Sequence, residues 1–183
     1  MVGTKHMSLQ YGTRTGNGTG GYSDADWGSG HDRKSIGGFV FALNGGAISW
    51  ASKKQTSIAI STTEAEYMGM TQAAKVILWL RVLLDEIGVF RLVASMSTLN
   101  ADNQGAIALA RNPEYHARTK HIDIQLHFIR NLVTTDQIYL QFCPSTDLIA
   151  DIMTKALPRV SHVKHLEAMG LTTGYESLRE GAR

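Results

Sequence analysis

Ile60-Ser61-Thr62-Thr63-Glu64-Ala65-Glu66-Tyr67-Met68 is where the chain changes its period. Upstream, apolar residues alternate as strands do. Downstream, Tyr67, Met70, Ala74, Ile77, Leu78 and Leu84 recur at helical spacing. The stretch itself is a helix start. Ser61 with Glu64, and Thr63 with Glu66, both fit a capping box, in which a hydroxyl and a later carboxylate satisfy orphan backbone N–H groups. One box needs one acid, and here there are two. Glu64 and Glu66 lie about 200° apart on a helix of 3.6 residues per turn, so they serve different surfaces. If one faces solvent and tends the cap, the other points into the domain, where a carboxylate wants a cation. Taken alone, the stretch is better explained as a charged first turn favoured by the helix dipole.

Working upstream, Lys53-Lys54-Gln55 is a polar break, and Ser57 to Ile60 either extends the preceding strand or forms a short one. Ala47 to Ser52 alternates through Ile48 and Trp50. Asn44-Gly45 is a strong two-residue hairpin signal, and Ile36 to Leu43 is the strand before it. Gly28 to Gly38 is a polar turn region. Gly21 to Trp27 ends a first strand, completing an antiparallel meander. Residues 1–20 are rich in Gly, Thr and basic residues and predict a flexible connector.

Downstream, the long helix runs about 25 residues to a glycine stop near Gly88. Leu92 to Leu99 predicts a strand ending at Asn100-Ala101-Asp102. Asn103 to Asn112 is a short helix stopped by Pro113, and Glu114 to Lys120 is a loop, basic in its later part. Ile122 to Val133 is helical. Ile138, Leu140 and Phe142 mark a strand of period two, and Pro144 to Asp147 a turn. Leu148 to Leu157 is helical up to Pro158, and a last helix covers about Val160 to Met169. A disordered tail is expected over 172–183, leaving one domain at 21–171. Three strands followed by alternating helix and strand predict an α/β class. The sheet is mixed and five-stranded, its first three strands antiparallel, and helices flank it.

The composition suits this. The chain has 183 residues, 43% of them hydrophobic, and can bury a core without disulfides or structural metals. Cys143 is the only cysteine, which fits a reducing compartment. No apolar run marks a signal peptide at the start. The longest apolar stretch, Val76 to Leu84, is interrupted by Arg81 and is too short to span a membrane, so no membrane partner is expected. A net charge of +2 says little about nucleic acid by itself.

The acids say more. Asp24 ends the first strand, Glu66 sits in the first turn of the long helix, Asp102 ends the fourth strand and Asp151 follows the fifth. Functional groups gather where the strands of an open α/β sheet end. Four carboxylates meeting there repel one another unless a cation is present, and oxygen-only ligands suit Mg²⁺ or Mn²⁺. Two such ions about 3.5–4 Å apart stabilise the attacking and leaving oxygens of a phosphodiester. Each acid taken singly also fits a turn, a cap or a solvated helix face. Their co-placement shifts the balance.

Six motifs then carry a resemblance. They are Gly21-Tyr22-Ser23-Asp24-Ala25-Asp26-Trp27, Ile48-Ser49-Trp50-Ala51-Ser52-Lys53-Lys54-Gln55, Ser61-Thr62-Thr63-Glu64-Ala65-Glu66-Tyr67, Ala101-Asp102-Asn103-Gln104-Gly105-Ala106, Arg118-Thr119-Lys120-His121-Ile122-Asp123 and Ala150-Asp151-Ile152-Met153-Thr154-Lys155. In this order they resemble the ribonuclease H domain of copia-type long-terminal-repeat retrotransposon polyproteins, over about Gly21 to Leu171. Residues 1–20 resemble the connector from the reverse transcriptase.

The resemblance implies a ribonuclease H-like fold. It implies an endonuclease that uses two Mg²⁺ ions, with Mn²⁺ as a possible substitute, to hydrolyse the RNA strand of RNA–DNA hybrids during reverse transcription. It implies Asp24, Glu66, Asp102 and Asp151 as catalytic metal ligands. The family pattern places its glutamate immediately before an apolar residue, which selects Glu66 and leaves Glu64 as the cap. Asp26 remains an alternative to Asp24, and Asp147 a weaker one to Asp151. The implied partners are the hybrid and the reverse transcriptase domain of the same polyprotein. The implied location is intracellular, in a cytoplasmic virus-like particle or the nucleus. There is one departure: many ribonucleases H carry a histidine in the loop before the last catalytic helix, and Pro144 to Asp147 has none. His121 is a possible stand-in from another loop.

A hybrid is recognised through shape, phosphates and 2′-OH groups. Asn103, Gln104, Ser23 and Ser61 are the candidate donors. Lys53, Lys54, Arg118 and Lys120 are candidate phosphate contacts, each also at home as a solvated lysine or arginine. Trp27 and Trp50 are candidates for stacking on sugars or bases, with core packing the stronger expectation, and Trp79, on the apolar side of the long helix, is expected in the core. A second reading is a catalytically weak or inactive module of the same fold that binds nucleic acid or protein. A third is an integrase or resolvase.

Overall fold

The computed structural model describes residues 4–12, 20–89, 97–112 and 120–173. Strand β1 (Met7–Leu9) precedes β2 (Gly20–Asp26), β3 (Ile36–Leu43) and β4 (Gly46–Lys54). Helix α1 (Thr62–Glu86), strand β5 (Thr98–Ala101), helices α2 (Gln104–Arg111) and α3 (Lys120–Thr134) and strand β6 (Tyr139–Phe142) follow. Helices α4 (Asp151–Thr154) and α5 (Arg159–Ala168) and strand β7 (Leu171–Thr173) close the described chain.

The main sheet has five strands in the order β4-β3-β2-β5-β6. The β2–β3 and β3–β4 pairs are antiparallel, and β2–β5 and β5–β6 are parallel. The β3–β4 turn is made by Asn44 (φ 51°) and Gly45 (φ 82°), the two left-handed residues that a type I′ hairpin requires.

Side chains alternate across the sheet, and each face has its own cover. Phe41, Leu99 and Leu140 meet Tyr67, Met70 and Ile77 of α1, with Leu126 and Ile129 of α3. Val40 and Ala47 meet Ile149 and Met169 on the other face, with Met153 and Leu171 packed against them.

Several expectations are corrected. Residues 7–12 are not a free connector. Met7–Leu9 pairs antiparallel with Leu171–Thr173, and Tyr11 donates its hydroxyl to Ala47 O at 2.8 Å. Thr172 and Thr173 therefore belong to a strand, not to a tail. The expected helix over Leu148 to Leu157 shrinks to Asp151–Thr154, because Leu148, Ile149 and Ala150 pack into the core as turns. Pro158 also disfavours helical backbone just before it. The expected strand from Leu92 falls partly on residues 90–96, outside the described residues; its described part is Thr98–Ala101. Trp79 is 59% exposed. It lies about 200° around α1 from the buried Ile77, so the apolar side of the helix excludes it. Trp27 and Trp50 are also about half exposed. Trp50 sits on the edge strand β4, and Trp27 follows β2 and donates its Nε1–H to Ala59 O at 3.0 Å.

Candidate active site

The register of the central strands brings two acids side by side. Tyr22 pairs with Asn100 at the end of the β2–β5 ladder, so Asp24 and Asp102 each lie two residues beyond it. Asn100 fastens this end by donating Nδ2 to Gly21 O at 3.0 Å.

Two glycines let helices approach the same place. A Cβ on Gly69 of α1 would sit 3.2 Å from Asp24 O, and one on Gly38 of β3 would sit 2.6 Å from Met153 Cβ. Without those side chains, α1 closes on β2 and carries Glu66 to Asp24, and α4 closes on β3 and carries Asp151 and Thr154.

One carboxylate oxygen from each of Asp24, Glu66 and Asp102 lies within 4.8 Å of the others. Asp26, the alternative to Asp24, is not in this group. Asp151 is buried beside it but pairs with Lys155, its Oδ2 3.1 Å from Nζ. Asp147 is turned elsewhere, 2.6 Å from Lys164 Nζ.

The electrostatics show crowding. Burial first, then the charges of Asp24 and Asp102, push the Glu66 carboxyl up to about 9. Burial and then Asp24 push Asp151 up to about 6, against the pull of Lys155. Asp24 is raised by burial, opposed by its hydrogen bond from Thr154 and by Lys155. Glu66 Oε2 and Asp151 Oδ1 are buried with no hydrogen-bond partner among the described residues. An oxygen-only donor set with buried, unpartnered carboxylate oxygens fits a hard divalent cation.

The other expected residues divide. Gln104 is exposed at the first turn of α2. Asn103 caps that helix, its Oδ1 accepting from Ala106 N at 2.8 Å, which leaves the Nδ2 donors for a ligand. Ser61 caps α1, accepting from Glu64 N at 3.1 Å. Ser23 is fully buried, because its position in β2 faces the sheet interior. This removes it as a surface donor. Lys53 and Lys54 lie at the exposed end of β4, with Lys54 3.2 Å from Asp32. Lys120 and His121 begin α3, where only the backbone is described, and Arg118 lies outside the described residues.

Glu64 keeps the expected cap role, its Oε2 accepting from Ile60 N at 2.9 Å. It does not face solvent: it is 5% exposed.

Three contacts escaped the sequence reading. Thr154 donates its hydroxyl to Asp24 Oδ2. Ser145 donates to Asp102 Oδ2 at 2.6 Å, from the loop that carries no histidine. Lys155 reaches Asp151 from four residues away, a spacing at which helical side chains meet.

The comparisons with known proteins agree with this architecture. The chain is 43% identical over 140 residues to the retrovirus-related Pol polyprotein from transposon TNT 1-94 of Nicotiana tabacum, a match over 76% of this chain and 10% of that protein. It is 39% identical over 152 residues to the Pol polyprotein from transposon RE1 of Arabidopsis thaliana, over 82% of this chain and 10% of that protein. The chain thus spans about a tenth of the length of the curated relatives it matches. Among solved structures it is similar to the LC11 ribonuclease H1 isolated from compost, with TM-score 0.55 and 14% identity over 82% of this chain and 99% of that one. It is also similar to ribonuclease H1 of Halobacterium salinarum, with TM-score 0.50 and 16% identity over 74% of this chain and 92% of that one. At these identities the structures establish the fold. No family model matches the chain.

Proposed function

Because the chain belongs to the retrotransposon Pol polyproteins and has a ribonuclease H fold, we propose that it hydrolyses the RNA strand of RNA–DNA hybrids during reverse transcription. The observation that carries this reading is the convergence of Asp24, Glu66 and Asp102 at the end of a parallel strand pair, with Asp151 beside them. Asp24, Glu66, Asp102 and Asp151 would hold two divalent cations, Mg²⁺ or in its place Mn²⁺, which supply an activated water and neutralise charge on the scissile phosphate.

The chain's own residues have separate tasks. Thr154 fixes the orientation of Asp24, and Ser145 that of Asp102. Asn103 and Gln104 follow Asp102 directly and offer amide donors to a 2′-OH. Lys53, Arg118, Lys120 and His121 are assigned to phosphates further along the hybrid, a contact that weakens with salt. The neighbouring reverse transcriptase domain is the proposed source of substrate, in an intracellular particle or the nucleus. Among the described residues no helix is long and apolar enough to cross a membrane.

The test is cleavage of a labelled RNA–DNA hybrid by purified protein with Mg²⁺. Cutting of the RNA strand is expected. Asp24→Asn and Glu66→Gln are each expected to reduce it by about 10³-fold or more, the scale of several kcal/mol of transition-state stabilisation. An intact hybrid across Mg²⁺ and Mn²⁺ defeats the reading. Binding without turnover, unchanged by either substitution, makes the domain a binding module instead. Cleavage of duplex DNA moves it to the integrase or resolvase class.

A further inference from the structure

The four acids are not equivalent. Asp24, Glu66 and Asp102 share one small volume, whereas Asp151 faces Lys155. The Lys155 ammonium lies 3.1 Å from Asp151 Oδ2 and 3.7 Å from Asp24 Oδ2. A positive charge therefore already stands between two carboxylates whose side chains are 7% and 3% exposed. That is the environment a second divalent cation with oxygen ligands requires. An ammonium and a divalent cation cannot share those two carboxylates, because like charges a few ångströms apart in a partly buried site repel strongly.

Lys155 is placed to leave. It is the C-cap of α4, with extended backbone, and its side chain is 38% exposed. A lysine stem of four methylenes carries its charge outward along such a route without moving the helix. Thr154 and Lys155 both engage Oδ2 of Asp24.

We propose that Lys155 is a tethered counter-ion that holds the Asp24–Asp151 position in the metal-free chain and must be expelled before a divalent cation can bind there. The Asp24–Glu66–Asp102 position then fills first, and the position next to Asp151 fills second and more weakly. Lys155 is a positioning residue: it sets the order and affinity of cation loading without itself touching the reacting atoms. This inference rests on the metal-site reading above and deepens it.

The test is Mn²⁺ titration by calorimetry, without nucleic acid, on wild type, Lys155→Met, Lys155→Gln and Lys155→Arg. Wild type is expected to take up one ion well and a second poorly. Either neutral variant is expected to tighten the second ion by about tenfold or more, a modest figure for removing one like charge from a partly screened site, and Lys155→Arg is expected to behave as wild type. In chelator, the neutral variants are expected to melt below wild type, with the order reversed in excess Mn²⁺. A merely structural ion pair would give the lower melting temperature without the tighter second ion. If wild type binds Mn²⁺ and the neutral variants bind it no more tightly, the Lys155 inference fails and the metal site survives. If wild type and all variants take up no Mn²⁺, both fail together.

Discussion

Glu64 and Glu66 stand two residues apart in the first turn of the same helix, and both are buried, at 5% and 6% exposure. Their surroundings differ in kind. Glu64 accepts the Ile60 N–H through Oε2 at 2.9 Å and closes the helix start. Glu66 keeps a buried Oε2 with no hydrogen-bond partner among the described residues and stands beside the charges of Asp24 and Asp102. Burial therefore does not tell a structural carboxylate from a functional one. What tells them apart is the charge around them. Glu64 closes on the Ile60 N–H as a cap. Glu66 is crowded by Asp24 and Asp102, whose charges outweigh what the Ala25 backbone N–H and Lys155 return to it, and a further cation relieves that crowding.

The largest expected effect separates these two conditions by pH. The folded Glu66 carboxyl is raised from about 4.5 to about 9 and Asp151 from its ordinary value to about 6. A raised acid binds more protons in the folded state than in the unfolded one. Its contribution to stability is whole below the unfolded value and is lost as pH rises through the folded value. In chelator, wild type is therefore expected to become less stable between pH 5 and 9, and Glu66→Gln, which cannot ionise, to lose much of that slope. Excess Mg²⁺ is expected to flatten the wild-type slope, because ligand binding to the folded state stabilises it. Denaturant unfolding across this pH range, with and without Mg²⁺, measures the three curves. Parallel slopes for wild type and Glu66→Gln would mean that Glu66 does not carry the pH dependence.

A smaller effect is expected on the other side. Glu64→Ala removes the acceptor for Ile60 N–H in a part-buried turn. Losing such a cap costs about 1–2 kcal/mol. Thermal melting should fall by roughly 2–4 °C for each kcal/mol lost in a domain of this size, with hybrid cleavage retained. A Glu64→Ala protein that melts normally but no longer cuts would exchange the two roles.

The sequence made the sheet legible because the meander announces itself. Asn44-Gly45 takes the left-handed angles that only such pairs adopt easily, and the switch to helical period at Thr62 coincides with the start of α1. Asp24 and Asp102 were legible because they lie at or near strand ends, whereas the choice of Glu66 over Glu64 came from the family resemblance. What was hidden depends on distance along the chain. Thr154 and Asp24 are 130 residues apart, and Ser145 and Asp102 are 43 apart. No local pattern records such pairs. The exposure of Trp79 is hidden for a related reason. An aromatic residue in an apolar run reads as core, whereas the buried stripe of α1 passes through Ile77, Leu80 and Leu84. The burial of Glu64 was missed because Ala25, Ala59, Ala65 and Met68 pack the loop before α1 against β2, covering a face that the helix alone leaves open.

The smallest expected effect bears on how the cap itself is built. In the usual box the later acid returns to the N–H of the capping residue. Here Ser61 Oγ accepts from Glu64 N, but Glu64 Oε2 accepts from Ile60 N, one residue before the cap. The two bonds thus close successive turns of the backbone on either side of Ser61, and each holds the other's donor in place. Ser61→Ala should cost about 1 kcal/mol. Because the two bonds share residues 60–64, the double variant Ser61→Ala/Glu64→Ala should lose less than the sum of the singles, with a coupling of roughly 0.5–1 kcal/mol, against additivity within ~0.3–0.5 kcal/mol for independent sites. A cycle that closes additively would mean the cap hydroxyl and the cap acid act separately. The first turn would then carry a glutamate buried for the sake of the loop before the helix and not for the helix itself.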